Sequence, residues 1–306
     1  LLLILIGYIL GGMKSIKENN GELVFSNFLA NCALPCFIFY NIYTSFDSSE
    51  ALYSLIKSLP VPFLLICVML AIGAAGAKIF KIDPKRRGAF TDANAFANTS
   101  FIGFPIITTL LGAHTLSTGM LYYIANTLLF FTLGTWLLSK DTGKSEKIFT
   151  KAGIKKVFSP MLIGLIIGVI VRLINLPMPD FVMKSLSYFT SVCPCMGMIF
   201  AGLLIRKSKI VKEYFFPEML LLLFLRYLIS PIVIGAVLCL LQIETETKAV
   251  YYILALLPSI TQMSIMSDII GSDSTFCALW LTVSSIFGVE FIPITVFLAE
   301  RVFNFI

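Results

Sequence analysis

The chain has 306 residues, of which 58% are hydrophobic and 13% are charged, and its mean hydropathy is +0.93. These values exclude a soluble globular domain and indicate a protein with several membrane-spanning helices. The formal net charge is +6, but the Lys and Arg residues fall in short segments between apolar runs. This distribution is typical of membrane topology, so we expect no nucleic-acid partner.

In chain order, continuous apolar runs predict an all-α membrane protein with ten membrane-spanning helices. We place these helices at about 1–13, 23–43, 58–79, 88–112, 116–138, 158–175, 182–205, 217–241, 248–271 and 274–303. Because the chain begins inside an apolar run without Met, we expect the start of the first helix to be missing.

The positions of the positive charges predict the orientation in the membrane. The loops after odd-numbered helices, counted with the adjoining helix ends, hold seventeen Lys and Arg residues, and those after even-numbered helices hold four. Both termini are therefore expected outside a cytoplasmic membrane that the chain crosses repeatedly, with the linker 140–156 in the cytoplasm.

The fourth apolar run contains a stretch, 94–112, that is predicted to form an interrupted helix. Pro105 has no amide hydrogen, Gly103 loosens the same turn, and Asn98 and Ser100 bring polar groups nearby. A helix interrupted at membrane depth is tolerated only where protein or a watery cavity satisfies the freed backbone. This stretch is therefore the first candidate for a substrate site.

Short sequence echoes indicate two related halves. Two echoes are offset by 159 residues, namely ALPC at 33–36 with VCPC at 192–195, and TLLGAHT at 109–115 with DIIGSDS at 268–274. Five helices in each half would insert the second half upside down, which is the inverted-repeat plan of secondary transporters. We therefore expect a first repeat over 1–139 and a second over 157–306.

The counterpart of the interrupted fourth helix in the second half is the stretch 257–271, LPSITQMSIMSDIIG. It has its own helix breaker, Pro258, followed by the polar residues Ser259, Thr261 and Gln262. Broken helices four and nine are therefore expected to cross near the membrane midplane.

These motifs resemble those of the auxin efflux carrier family, which includes the plant PIN proteins. ANTSFIGFP at 97–105 is similar to the fourth-helix crossover motif of that family, and LPSITQ at 257–262 is similar to its ninth-helix crossover. FIPIT at 291–295 resembles a motif of helix ten. The resemblance extends over essentially the whole chain.

The resemblance implies a scaffold part of helices 1, 2, 6 and 7 and a transport part of helices 3–5 and 8–10 that moves like an elevator, often in a homodimer. It also implies that Asn98 holds the substrate carboxylate, with Pro258 and Ser259 on the other crossover. The chain departs from PIN proteins in its short linker, and in Tyr53, which stands four residues before Lys57 where an acidic partner is expected.

The polar residues of both crossovers are the main binding candidates. Asn98 could donate its amide to a carboxylate, since the N-terminal ends of half-helices favour an anion, or it could cap the freed backbone. The full set of candidates is Asn98, Ser100, Pro105, Pro258, Ser259, Thr261 and Gln262, with Asn31 and Cys36 beside the proline of helix two. Pro105 is expected to shape the site.

Ionisable residues inside apolar spans are costly and are usually functional or paired. Arg226 in helix eight could pair with Glu290 of helix ten, or it could attract an anion. Asp268 could take part in ion coupling, or it could mark a solvated end of helix nine.

The sequence therefore predicts a secondary transporter of a small organic anion, a carboxylate, that works by alternating access. A sodium- or proton-coupled uptake carrier for an organic acid and a membrane sensor that binds without transport are the alternatives. No phosphate loop, metal cluster or nucleophile–base set is evident, so we expect neither an enzyme nor a cofactor or metal. The expected partners are the substrate, the lipid bilayer and a second copy of the chain.

Overall fold

The computed structural model describes residues 2–14, 16, 21–45, 57–143, 160–207 and 217–303. Within these ranges all regular structure is helical, apart from one isolated β-bridge. The all-helical class expected from the sequence is therefore confirmed. Tyr53 and most of the linker 140–156 lie outside the described residues.

The α-helices have the following bounds in chain order. They are α1 (Leu2–Leu10), α2 (Gly21–Phe28), α3 (Leu34–Ser45), α4 (Pro60–Ile79), α5 (Arg87–Ala95), α6 (Phe104–Leu110), α7 (Leu116–Leu129), α8 (Thr135–Asp141), α9 (Pro160–Leu173), α10 (Asp180–Lys207), α11 (Pro217–Phe224), α12 (Ser230–Leu240), α13 (Thr245–Ala255), α14 (Gln262–Ile270) and α15 (Ser274–Phe303). Wider π-helical turns lie at Leu29–Ala33, Thr99–Gly103, Phe130–Gly134 and Leu225–Ile229, and a 3₁₀ turn lies at Ala113–Thr115.

Three described helical runs are individually long and apolar enough to cross a membrane, namely Pro60–Ile79, Ala113–Asp141 and Pro217–Leu240. A fourth crossing is possible for Ser274–Gly288 with Glu290–Phe303, which are bent by 56°. These helices fit a protein that spans the membrane several times. The count of ten spans and the inverted repeat stay predictions.

Residues 1–58, 100–121 and 157–207 form one compact unit. In this unit α1 packs on α10, and α9 packs on α3. Glycines lie at both contacts. A Cβ on Gly7 would be 2.0 Å from the Ile199 carbonyl oxygen, and a Cβ on Gly164 would be 2.6 Å from the Pro35 carbonyl oxygen, so neither position has room for a side chain. Small residues of this kind let helix backbones approach closely in a membrane.

Residues 59–99, 122–156 and 208–306 form the other compact unit. Here α5 packs against α4 and α8, and both α13 and α14 pack against α15. Large aromatic side chains fill the interior, among them the fully buried Trp280, Tyr122 and Tyr251. On the outside, Leu240 of α12 is 83% exposed and Ile79 of α4 is 70% exposed. Side chains of this kind suit contact with lipid.

Gly88 of α5 offers a direct test of the packing in this second unit. A Cβ at Gly88 would lie 2.0 Å from the backbone oxygen of Leu137, whereas a Cβ at Gly235 of α12 meets its nearest neighbour, Tyr252, at an ordinary 3.6 Å. We expect Gly88→Ala to destabilise the protein by about 1–3 kcal/mol. Gly235→Ala should be neutral or stabilising by up to about 1 kcal/mol, because Ala is the better helix former. Thermal unfolding of both purified variants in detergent checks this, and equal stability would contradict the packing.

Candidate functional site

The interruptions of the fourth and ninth predicted helices meet in the second unit. After α5 the backbone becomes extended at Phe96, and Ala97 forms an antiparallel bridge with Ser259 in the segment after α13. The Asn98 amide donates to the Pro258 carbonyl at 2.8 Å, and the Ile260 amide donates to the Phe96 carbonyl at 3.2 Å. Each interrupted backbone therefore supplies hydrogen-bonding partners to the other. We call residues 96–98 and 257–260 the crossing.

The break in the fourth predicted helix is not where the sequence placed it. Pro258 lies within its break, but Pro105 lies in the first turn of α6, several residues after the extended segment. The π turn Thr99–Gly103 runs directly into α6, so the helical run Thr99–Leu110 continues through Pro105. The expectation that Pro105 interrupts the helix is therefore wrong. In the first unit Pro105 packs on Gly197, where a Cβ would lie 2.6 Å from the proline Cγ.

Side chains from two other helices hold the crossing. The side-chain amide of Asn126 in α7 accepts a hydrogen bond from the Ala97 amide at 3.2 Å and donates to the Ala97 carbonyl at 3.0 Å. The hydroxyl of Ser284 in α15 accepts from the Ser259 amide at 3.1 Å. Each half of the crossing is thus held by a polar residue of the second α-helix after it in the chain.

Arg226 occupies the π turn between α11 and α12, and its side chain is fully buried, with 0% exposed. Its Nε donates to the Leu257 carbonyl at 3.0 Å, and Nη2 donates to the same oxygen. Its Nη1 also donates to the Ala93 carbonyl at 2.9 Å and to the Asn94 carbonyl, and Nη2 donates to the Phe96 carbonyl at 3.4 Å. These carbonyls lie at the end of α5. One guanidinium therefore satisfies backbone acceptors of both interrupted helices.

The predicted pair between Arg226 and Glu290 is not formed in the described part of the chain. Glu290 is exposed on α15, while every hydrogen bond given above for Arg226 ends on a backbone carbonyl. The ion pairs among the described residues join Arg86 to Glu218 and Arg86 to Asp273. Arg226 is therefore a buried cation without an acidic partner among the residues that the structure describes.

Polar side chains suited to a ligand lie on the α14 side of the crossing. The Asn98 side-chain amide donates to the Thr261 hydroxyl at 3.3 Å, although Asn98 itself is only 2% exposed. Gln262 begins α14, and Thr261 and Gln262 are half-buried. The Ser259 hydroxyl is buried, and no hydrogen-bond partner for it is found among the described residues. The second unit thus brings together Asn98, Ser259, Thr261 and Gln262.

Comparison with known proteins identifies the family. A profile of the membrane transport protein family, to which the auxin efflux carriers belong, matches residues 1–298. The chain belongs to this family. It is similar to an uncharacterized transporter of Methanocaldococcus jannaschii, with 25% identity over 94% of this chain and 92% of the relative. It is also similar to an uncharacterized transporter of Methanothermobacter thermautotrophicus, with 26% identity over 96% and 94% of the two chains.

The family resemblance expected from the crossover motifs is therefore confirmed, and the match makes the protein a transporter rather than an enzyme. Together with the apolar helices, it also makes the carrier a membrane protein with several spans.

The other predicted site residues of the carrier are divided between the two units. In the first unit Ser100 is buried, Cys36 is half-buried, and Asn31 is exposed and donates to the carbonyl of Asn27. Asp268 is exposed on α14 in the second unit.

A polar cavity in the first unit of the carrier was not anticipated from the sequence. Its volume is about 600 Å³, and its lining includes Tyr40, Asn41, Thr44, Thr108, His114 and Thr190. Asn41 donates to the Phe37 carbonyl of its own helix and is therefore partly satisfied. Hydroxyl, amide and imidazole groups on the wall make this cavity suited to water or a polar solute.

Sequence analysis also missed several residues that support the crossing. Asn94 donates to the Met69 carbonyl at 2.8 Å, and the Trp280 indole donates to the Ala93 carbonyl at 3.0 Å. Asn126 could have been noted as an amide inside an apolar span, since such groups need partners at membrane depth. Ser284 carries no comparable signal, because a serine is common in membrane helices.

The role of Arg226 can be tested by keeping its charge and removing its donor geometry. Arg226→Lys supplies three rotatable donors in place of a planar fork, so several buried carbonyls should lose their partners. We expect a destabilisation of about 3 kcal/mol or more, since each unsatisfied buried group costs about 1–3 kcal/mol. Thermal unfolding in detergent gives the measurement, with Arg301→Lys at the exposed end of α15 as the matched control. An Arg226→Lys variant as stable as the control would remove Arg226 from this role.

Proposed function

We propose that the carrier moves a small organic anion, a carboxylate, across the cytoplasmic membrane by alternating access. The observation that carries this proposal is Arg226, a fully buried guanidinium at the crossing with no acidic partner among the described residues. A neutral solute would gain little from such a charge, whereas an anion would gain much.

Electrostatics at the crossing favour a negative ligand. A charge interaction is far stronger in a protein interior than in water, so the buried Arg226 charge produces a strong positive field at the crossing. The helix α14 begins at Gln262 in the same region, and the N-terminal end of a helix carries partial positive charge. Both contributions have the sign that an anion requires.

The chemistry of the nearby side chains supports a carboxylate as the anion. Asn98, Ser259 and Thr261 provide amide and hydroxyl donors without fixed charge. Two or three such donors can form hydrogen bonds to the two oxygens of a carboxylate. The ligand can also be released, because no direct ion pair with the protein needs to be broken.

The division into units is compatible with the elevator motion implied by the family. The paired breaks, Arg226, Asn126 and Ser284 all belong to the unit formed by residues 59–99, 122–156 and 208–306. A displacement of this unit as a body would therefore carry the site without breaking its hydrogen bonds. The homodimer and the outside location of both termini stay predictions.

A ligand screen tests the anion requirement. Malonate, malate and indole-3-acetate should raise the melting temperature of the purified carrier, because a ligand that binds the folded state stabilises it by about 2.7 kcal/mol at a hundredfold excess over Kd. Malonamide has the shape of malonate without its charges and is the matched control. Equal shifts with malonate and malonamide would contradict an anion site, and a shift without counterflow in proteoliposomes would favour the sensor alternative.

Asn98→Ala tests the site at one residue. The variant removes the side-chain amide but keeps the backbone bond from residue 98 to Pro258, so the crossing should still form. We expect the malonate-induced thermal shift and malonate counterflow to fall at least about tenfold, which corresponds to loss of one hydrogen bond to a charged group. Asn27→Ala, at an exposed amide of α2, is the control. Unchanged counterflow in Asn98→Ala would exclude Asn98 from the site.

A further inference from the structure

Asp92 is a buried acid that no step so far has used. It lies in α5, one helical turn before Phe96, and 0% of the residue is exposed. Neither of its carboxyl oxygens has a hydrogen-bond partner among the described residues. A carboxylate in this state would be costly, because it has lost water and gained no donor.

Asp92 lies against the π turn Phe130–Gly134. A Cβ placed on Gly134 would lie 3.3 Å from Asp92 Oδ2, 2.9 Å from Phe96 Cε2 and 3.0 Å from Phe130 Cδ2. The carboxyl group and two aromatic rings therefore border the same glycine, which has no side chain to donate a hydrogen bond.

No cation on the elements packed on α5 is bonded to Asp92, since neither carboxyl oxygen has a partner among the described residues. Asp141 of α8 is the charged group that acts on it, and the buried thiol of Cys277 in α15 also faces it. The other titratable groups on these elements are Cys67 and Lys78 of α4, Lys140 of α8, Glu218 of α11, Asp268 of α14, and Glu290, Glu300 and Arg301 of α15. Of these, Cys67, Lys78, Lys140, Asp268, Glu290 and Arg301 are exposed, Glu300 is half-buried, and Glu218 is bound to Arg86. Arg226 in the neighbouring π turn, with Tyr227 beside it, donates to backbone carbonyls.

We propose that Asp92 is the proton-binding site of the carrier and that it couples transport of the anion to a proton. A proton from the aqueous phase adds to one carboxyl oxygen, which changes the charge of the group from −1 to 0. Neutralisation removes both the desolvation cost and the repulsion from Asp141. A sodium ion would need several oxygen ligands, and no group of three or more His, Cys, Asp or Glu side chains that could hold a metal ion is found among the described residues.

The coupling rests on the proposed function and follows from the position of Asp92. The carbonyls at the end of α5 are those that Arg226 binds, and Asp92 precedes them by less than one turn. A negative charge on Asp92 would repel an anion at the crossing, and a neutral Asp92 would not. Proton binding and anion binding therefore strengthen each other, and by linkage this effect is reciprocal. The proton is released to the opposite side with the anion, which makes the carrier a symporter.

Infrared spectroscopy of the full chain in lipid tests the proton itself. The wild type at neutral pH should show the carbonyl stretch of a protonated carboxylic acid, and this band should shift in D₂O. Asp92→Asn should remove the band, Asp92→Glu should restore it at a shifted frequency, and Asp268→Asn should leave it unchanged. A spectrum in which Asp92→Asn retains the full band, or a wild type without one, would overturn the proposal. This experiment needs no substrate, so it decides on proton binding even if the carrier moves none of the carboxylates.

Malonate uptake into proteoliposomes tests the coupling. With the membrane potential clamped at zero and the outside more acidic by about one pH unit, one proton per anion supports about tenfold accumulation of malonate in the wild type. Asp92→Asn should exchange malonate without accumulating it, whereas Asp268→Asn should accumulate it as the wild type does. Accumulation by Asp92→Asn equal to that of the wild type, or accumulation driven by a sodium gradient alone, would overturn coupling through Asp92. A wild type that takes up no malonate, malate or indole-3-acetate would contradict the proposed function, while the infrared result would stand.

Discussion

Two helices are interrupted within the apolar interior, and one guanidinium group binds the carbonyls that the interruptions release. In hydrocarbon each unsatisfied backbone group costs several kcal/mol, so the crossing could not persist without such a partner. Arg226 is suited to this because its planar fork reaches acceptors on α5 and on the segment after α13 at the same time. The pairing between Asn98 and Pro258, and with it the candidate site, depends on this contact.

The electrostatic cost of burying Arg226 is met by dipoles rather than by an acid. The C-terminal ends of helices carry partial negative charge, and the carbonyls of Leu257 and Ala93 present that charge to the guanidinium. Dipoles offset the desolvation of the cation but do not cancel its charge at longer range. A fixed partner such as Glu290 would have cancelled it and left nothing to attract an anion. The arrangement thus satisfies the backbone while it preserves a positive field at the crossing.

The sequence predicted the fold class, the family and the meeting of two interrupted helices, because apolar runs and Pro258 are local signals. It misplaced the first break, since the helical run Thr99–Leu110 continues through Pro105 and the extended residues around Ala97 include neither glycine nor proline. That segment is held by partners far along the chain, Asn126 and residues near Ser259, which no local pattern reveals. Asp92 could have been found, because an acid within a predicted span is costly and therefore functional or paired.

Asp141, Asp92 and Arg226 act on successive parts of one short helix, α5. Asp141 accepts hydrogen bonds from the Gly88 and Ala89 amides at 2.7 and 2.8 Å, so this carboxyl group caps the first turn of α5. Asp92 lies one turn further in, with no donor among the described residues, and the next turn ends at the carbonyls that Arg226 binds. Over about two turns the helix passes from a hydrogen-bonded acid to an acid without a partner and then to a buried cation. Protonation of the middle group alone would change the field at the crossing without any rearrangement of the backbone. Proton and anion can therefore be linked through charge within a single rigid helix.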